Sequence, residues 1–223
     1  MLRKSMTFIF GIVASATLAL GQQTSTPAAA PPAAPRRAPS PGGTAATQVG
    51  GTWSAPDKDG ERRYQDGKWI EVTYSRPILK GRTNVFGSGA DYGKAVNSGA
   101  PVWRAGANST TRLKTEVPLE IGGKKLAPGE YSLFVDLKEA GWTLIVSSQA
   151  YQEKYDANEK VKTFGAYNYD PKYDVVRVPM KMVTPQVSID QFTIAFVDMS
   201  DKGGKLAMAW DKTAAVVPFS VGQ

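Results

Sequence analysis

Five cations, Arg76, Lys80, Arg82, Lys94 and Arg104, fall within about thirty residues that are rich in Gly and contain Asp91 as their single acid. Guanidinium and ammonium groups in such a setting hold carboxylates, phosphates or hydroxyl-rich molecules through charge-assisted hydrogen bonds. Tyr92 and Asn108 add neutral hydrogen-bonding groups, and Trp103 precedes Arg104 directly. Two arrangements fit these residues. The cations could line a concave rim and bind an anionic or hydroxylated ligand. Alternatively they could be spent on the fold, since strand parity puts Arg76 on the same side as Ile70, Val72 and Tyr74, where a guanidinium must pair with Asp91 or bond main-chain carbonyls.

The absent residue types narrow the chemistry further. The 223 residues include no Cys and no His, so disulfides, thiol nucleophiles, serine triads built on imidazole and ordinary zinc sites are excluded. Glu71, Glu116, Glu120, Asp170 and Asp174 could run carboxylate-dependent glycan hydrolysis, but their spacing selects no pair at the separation that reaction needs. Ser109, Thr110 and Thr111 have no base beside them, the Gly pairs fit turns instead of a phosphate loop, and no acidic loop has calcium spacing. No cofactor or metal is expected, and a non-catalytic protein is favoured over an enzyme.

The formal charge of +7 is concentrated outside the folded part. Arg3, Lys4, Arg36 and Arg37 are basic, whereas all 20 acids follow Gly51, which leaves +3 for the remainder. Bases and acids are interspersed there. That is a poor electrostatic footprint for nucleic acid, and none is expected as a partner.

The elements that must position the cations begin well inside the chain. Arg3 and Lys4 precede an apolar run from Met6 to Leu20, and Ala19, Leu20 and Gly21 offer small residues for cleavage, so residues 1–21 have the pattern of a signal peptide. The run is shorter than the roughly 20 residues that a spanning helix needs, and no transmembrane segment is expected in the mature chain. Residues 22–50, dominated by Ala, Pro, Thr, Ser and Gly, are expected to be a disordered tether. The domain itself is expected over 51–223.

After Trp53 the apolar period becomes two. Ile70, Val72 and Tyr74 alternate with polar neighbours until Pro77; Tyr131, Leu133, Val135 and Leu137 form one face, and Trp142, Leu144 and Val146 another, with Ala140 and Gly141 as the turn of a hairpin. Further strands are expected over 102–105, 112–121, 175–183, 189–197, 205–210 and 214–221. Tyr151 to Val161 is the best short helical candidate. Together these predict an all-β fold, an antiparallel β-sandwich of roughly eight to ten strands with little helix and a disordered N-terminal leader.

An ordered series of short motifs adds a family resemblance. It starts with Ser75, Arg76 and Pro77, then Lys80, Gly81 and Arg82, then Phe86 and Gly87. It continues through Asp91 to Lys94, Trp103 to Asn108, Gly123 to Leu133, Trp142 to Leu144, Phe164 to Tyr169 and Asp174 to Val178, and closes with Trp210 to Thr213. From about Trp69 to Val221 the chain resembles the exported bacterial proteins classed as domain-of-unknown-function family 2911 (DUF2911). The resemblance implies export and a mostly β domain, and it carries over no catalytic residue. In that family the pieces matching Tyr92 to Lys94 and Trp103 to Arg104 usually lie almost adjacent; here Ala95 to Pro101 intervenes. If those pieces line one site, its rim carries an extra loop.

The expectation is therefore an exported, periplasmic or extracellular β-module. It would bind an envelope component or a small anionic or hydroxylated ligand through Arg76, Lys80, Arg82, Tyr92, Lys94, Trp103, Arg104 and Asn108. The alternatives are a glycan hydrolase and a structural or assembly domain.

Overall fold

A computed structural model describes residues 40–222. The expected signal peptide, residues 1–21, and most of the expected tether lie outside the described residues.

Among the described residues, fourteen strands form two large antiparallel sheets and one small hairpin. The first sheet contains β1 (Gly42–Val49), β4 (Lys68–Ser75), β5 (Thr111–Thr115), β8 (Gly129–Lys138), β9 (Gly141–Ser147) and β10 (Asp174–Pro179), neighbours in that order. The second runs β12 (Ile189–Ser200), β13 (Gly203–Asp211), β14 (Thr213–Val221), β6 (Leu119–Ile121) and β7 (Lys124–Leu126). The short β11 (Lys181–Val183) pairs with β14 as well, and β2 (Thr52–Trp53) pairs with β3 (Tyr64–Gln65). Among the described residues, helix is confined to α1 (Lys94–Asn97) and two short 3-10 turns.

The all-β sandwich follows from period-two burial. In β4, Ile70, Val72 and Tyr74 are buried while Glu71 and Thr73 are less so, and β13 buries Leu206, Met208 and Trp210 between less buried neighbours. These inward rows meet in one core. Its centre is aromatic: Phe86 packs edge to face on Trp103, Trp142 and Trp210, and Trp103 does the same with Phe192. Such edge contacts add to the large apolar area that each ring buries.

The strand count exceeds the expected eight to ten because β1, β2, β3 and β7 lie outside the expected runs and because two of those runs are each divided between the sheets. The run 112–121 supplies β5 to one sheet and β6 to the other, with Glu116, Val117 and Pro118 as the crossing. The run 175–183 splits into β10 and β11 at Met180. Of 102–105, only Trp103 pairs, with Val135. Tyr151 to Val161 is not helical. Its loop is held instead by buried amides, with Gln149 Nε2 donating to the carbonyls of Val161 and Asn168 at 2.7 Å.

The expected tether also ends too late. Gly42–Val49 pairs along its whole length with β4 and buries Ala45 and Val49. The small side chains of this strand conceal it among tether-like residues, yet pairing needs only main-chain groups and one apolar face. A chain starting at Ser40 should therefore melt close to the full-length protein. One starting at Gly51 should lose about 2 kcal/mol or more, because Val49 leaves the core and the β4 edge is uncovered. Equal thermal midpoints for the two truncations would contradict the strand.

Candidate functional site

At one end of the sandwich three loops enclose a cavity of about 620 Å³. The first, Pro77 to Val85, follows β4. The second is α1 and its flank, Ala95 to Ser98. The third, Trp103 to Asn108, precedes β5, and Trp210 of β13 completes the lining. Ala95, Val96 and Ser98, in the segment 95–101 that the family resemblance marks as an extra loop, thus contribute a wall.

The first and third loops are pinned to the sheets. Phe192 N–H donates to the Pro77 carbonyl and Leu79 N–H to that of Asp190, which docks the first loop on β12. Asn84 N–H donates to Asp211 Oδ2, and Ser188 donates to Asp211 Oδ1, so this carboxylate clips the same loop to β13. Trp103 exchanges main-chain bonds of 2.8 Å with Val135, and its indole donates to the Gly106 carbonyl. Gly106 could not carry a side chain there: its φ is +150° and a Cβ would lie 2.7 Å from the Ser75 carbonyl oxygen.

These walls are strained. Of the nine non-glycine residues with positive φ among the described residues, Lys80, Asn84, Ser98, Ala105 and Asn108 belong to the three loops. Such conformations cost of order 1 kcal/mol or more each and persist where the surroundings enforce them, often at binding sites.

Four of the eight candidate residues meet at the cavity: Arg82, Trp103, Arg104 and Asn108. Lys80 and Gly81, with φ of 49° and 79°, form the tight turn that swings Arg82 back on its own loop. There Arg82 Nε donates to the Leu79 carbonyl at 3.0 Å and Nη2 to that of Ile78 at 2.7 Å, while the guanidinium lies over the Trp210 ring at 5.5 Å. Arg104 Nη1 donates to the Asn108 carbonyl at 2.7 Å, and its guanidinium lies over the Tyr167 ring at 5.7 Å. The Asn108 amide holds the Ser40 carbonyl at 3.2 Å, so the chain enters the domain beside the cavity.

Neither Arg82 nor Arg104 has a carboxylate within ion-pair distance among the described residues, and no Asp or Glu lines the cavity. Trp103 is almost wholly buried, and the cavity meets only a margin of it.

The other four lie elsewhere. Arg76 is half-buried and spans the two sheets, donating from Nε to the Phe192 carbonyl and from Nη2 to the Thr193 hydroxyl, both at 3.2 Å. It is a fold residue, with β12 as its partner in place of Asp91. Tyr92 accepts the Trp142 indole hydrogen at 2.9 Å and stacks on Phe86. Burial pushes its phenol pKa above the ordinary value. Lys94 pairs with Asp91 at 2.9 Å in solvent, and Lys80 is exposed. Replacing Arg76 with Met should cost about 1–3 kcal/mol, because the buried Phe192 carbonyl loses its side-chain donor. Lys94→Met should stay within about 0.5 kcal/mol. Thermal unfolding distinguishes the two.

Sequence spacing did not reveal Asn84, Ser98, Trp210, Tyr167 or Gly165. The last three sit in motifs more than fifty residues from Arg104 that have no local mark of a site. The carboxylates considered for hydrolysis have other partners: Glu116 accepts the Trp69 N–H, Asp170 caps the N-terminal end of the 3-10 turn Pro171–Tyr173, and Asp174, at the other end of that turn, accepts from Tyr169 and Arg177. Glu71 lies on the outer side of the first sheet in a shallow depression with Arg112, Lys114 and Glu130, and Glu120 is on β6. No described helix is long and apolar enough to cross a membrane.

No curated protein and no solved structure matches the chain. The family model described as "Protein of unknown function (DUF2911)" matches residues 56–219, which takes in all three cavity loops, Tyr167 and Trp210. With most of its length matched, from ahead of β3 to within β14, the chain belongs to the DUF2911 family.

Proposed function

We propose that this protein is an exported β-module that binds a small anionic, hydroxyl-bearing molecule in the cavity between its three loops, without catalysis. One observation carries the proposal: two arginines, each with its guanidinium laid on an aromatic ring and bonded to main-chain carbonyl oxygen, line a cavity with no acidic side chain in its lining. A cation fixed in this way loses little freedom when an anion arrives. At about 4 Å and an effective dielectric near 20, a charge pair is worth roughly 4 kcal/mol before desolvation, against about 1 kcal/mol in bulk water. No wall carboxylate competes for that energy. Asn84, Ser98 and Asn108 supply the neutral groups that hydroxyls would meet.

The cavity volume lies within the range of small-molecule sites, about 300–1,000 Å³. Its two tryptophans are nearly buried, so ligand contacts would be polar, not stacked. Export rests on Arg3, Lys4 and the apolar run to Leu20, and the ligand would come from the periplasm or the cell exterior.

Thermal unfolding and calorimetric titration test the binding. Gluconate and glycerol 3-phosphate should raise the midpoint by mass action, whereas sorbitol and glycerol, their uncharged counterparts, should not. Arg82→Gln and Arg104→Gln should each remove most of the shift. No shift from either anion, or equal shifts from charged and uncharged partners, would refute the proposal.

A further inference from the structure

The hydrogen-bond pattern of the two cavity arginines constrains the number of charges on the ligand. A guanidinium has five N–H donors arranged in a plane, and a carboxylate takes two of them side by side from one edge. Arg82 uses Nε and one hydrogen of Nη2 on the Leu79 and Ile78 carbonyls, which occupies its Nε/Nη2 edge. Its terminal edge, Nη1 with the second hydrogen of Nη2, has no protein acceptor among the described residues. Arg104 spends one Nη1 hydrogen on the Asn108 carbonyl. Its Nε/Nη2 edge is likewise left whole. Trp210 lies against one face of the Arg82 guanidinium and Tyr167 against one face of that of Arg104, and a carboxylate bonds in the guanidinium plane, through an edge.

We infer that the cavity takes a molecule with two anionic groups, one for each free arginine edge, most simply a hydroxylated dicarboxylate. This rests on the anion-binding reading above and goes further by fixing the charge. The two arginines belong to different loops, Arg82 after β4 and Arg104 before β5, and they border one cavity roughly 10 Å across if compact. One carboxylate could engage only one of these edges fully. The second cation would then remain in a wall without acids, unneutralised. A diacid cancels both charges, while Asn84, Ser98 and Asn108 remain for the hydroxyls between its ends.

The test uses the full chain and two probes built on the same six-carbon polyol, gluconate with one carboxylate and glucarate with two, at matched ionic strength. Glucarate should bind at least tenfold more tightly than gluconate in calorimetric titration. In Arg82→Gln and in Arg104→Gln that advantage should fall below about threefold, since one edge is gone from either variant. Circular dichroism verifies that both variants are folded, and the stable parent carries the comparison if one is not. Equal affinity for the two probes would overturn the diacid assignment and leave anion binding standing. Binding of neither would remove the reading on which it rests. An undiminished glucarate advantage in both folded variants would also overturn it, because the second charge would then be held elsewhere.

Discussion

A Trp103→Ala variant should unfold about 10 °C or more below the parent, a loss of about 3–5 kcal/mol. Trp103 is 1% exposed and packs edge to face on Phe86, Trp142 and Phe192, so truncation leaves a cavity where the two sheets and the site loops converge. The Gly106 carbonyl loses its indole donor in the same step, leaving a buried acceptor unsatisfied. The loop carrying Arg104 is fixed through this residue, and anion binding should disappear with the stability. Trp53, 63% exposed, is the control: Trp53→Ala should change stability by about 0.5 kcal/mol or less. Similar losses for both tryptophans would mean that Trp103 is not the keystone of the aromatic core.

The second large effect is on binding with the fold retained. Gly165 sits at φ +63°, and a Cβ there would lie 2.5 Å from Arg104 Nη1 and 3.0 Å from the Asn108 carbonyl oxygen. Gly165→Ala therefore adds a left-handed backbone penalty of about 1–2 kcal/mol and pushes the guanidinium off its carbonyl. The affinity for gluconate should fall at least tenfold while the β-type circular dichroism spectrum is unchanged. Retained affinity with the expected stability loss would show that the position of Arg104 is immaterial to the ligand.

Sequence patterning was informative wherever large apolar residues alternate beside a recognisable turn. The β8–β9 hairpin follows directly from Tyr131 to Leu137, Ala140–Gly141 and Trp142 to Val146. It failed at β1, whose Gly, Ala and Thr residues bury little and resemble the tether, although a strand at a sheet edge requires no more. It also failed at Pro118 and Met180, because a continuous strand-like pattern does not say to which sheet each half belongs. For the site, the density of cations around Arg82 and Arg104 was legible. Which of them face the cavity was not. Arg76 is claimed by a carbonyl on β12, and the aromatic supports of Arg82 and Arg104 come from Trp210 and Tyr167, brought in by tertiary folding alone.

The central claim is that Arg82 and Arg104 present unpaired edges to a ligand while Arg76 serves the fold. Phenylglyoxal, which adds to accessible guanidiniums, followed by peptide mapping of the full chain, tests this directly. Arg82 and Arg104 should be modified faster than Arg76, and saturating glucarate should slow both by at least fivefold without affecting Arg62 or Arg63. If Arg82 and Arg104 react at the same rate with and without bound anion, or if their complete modification leaves anion binding intact, the cavity is not where the ligand is held.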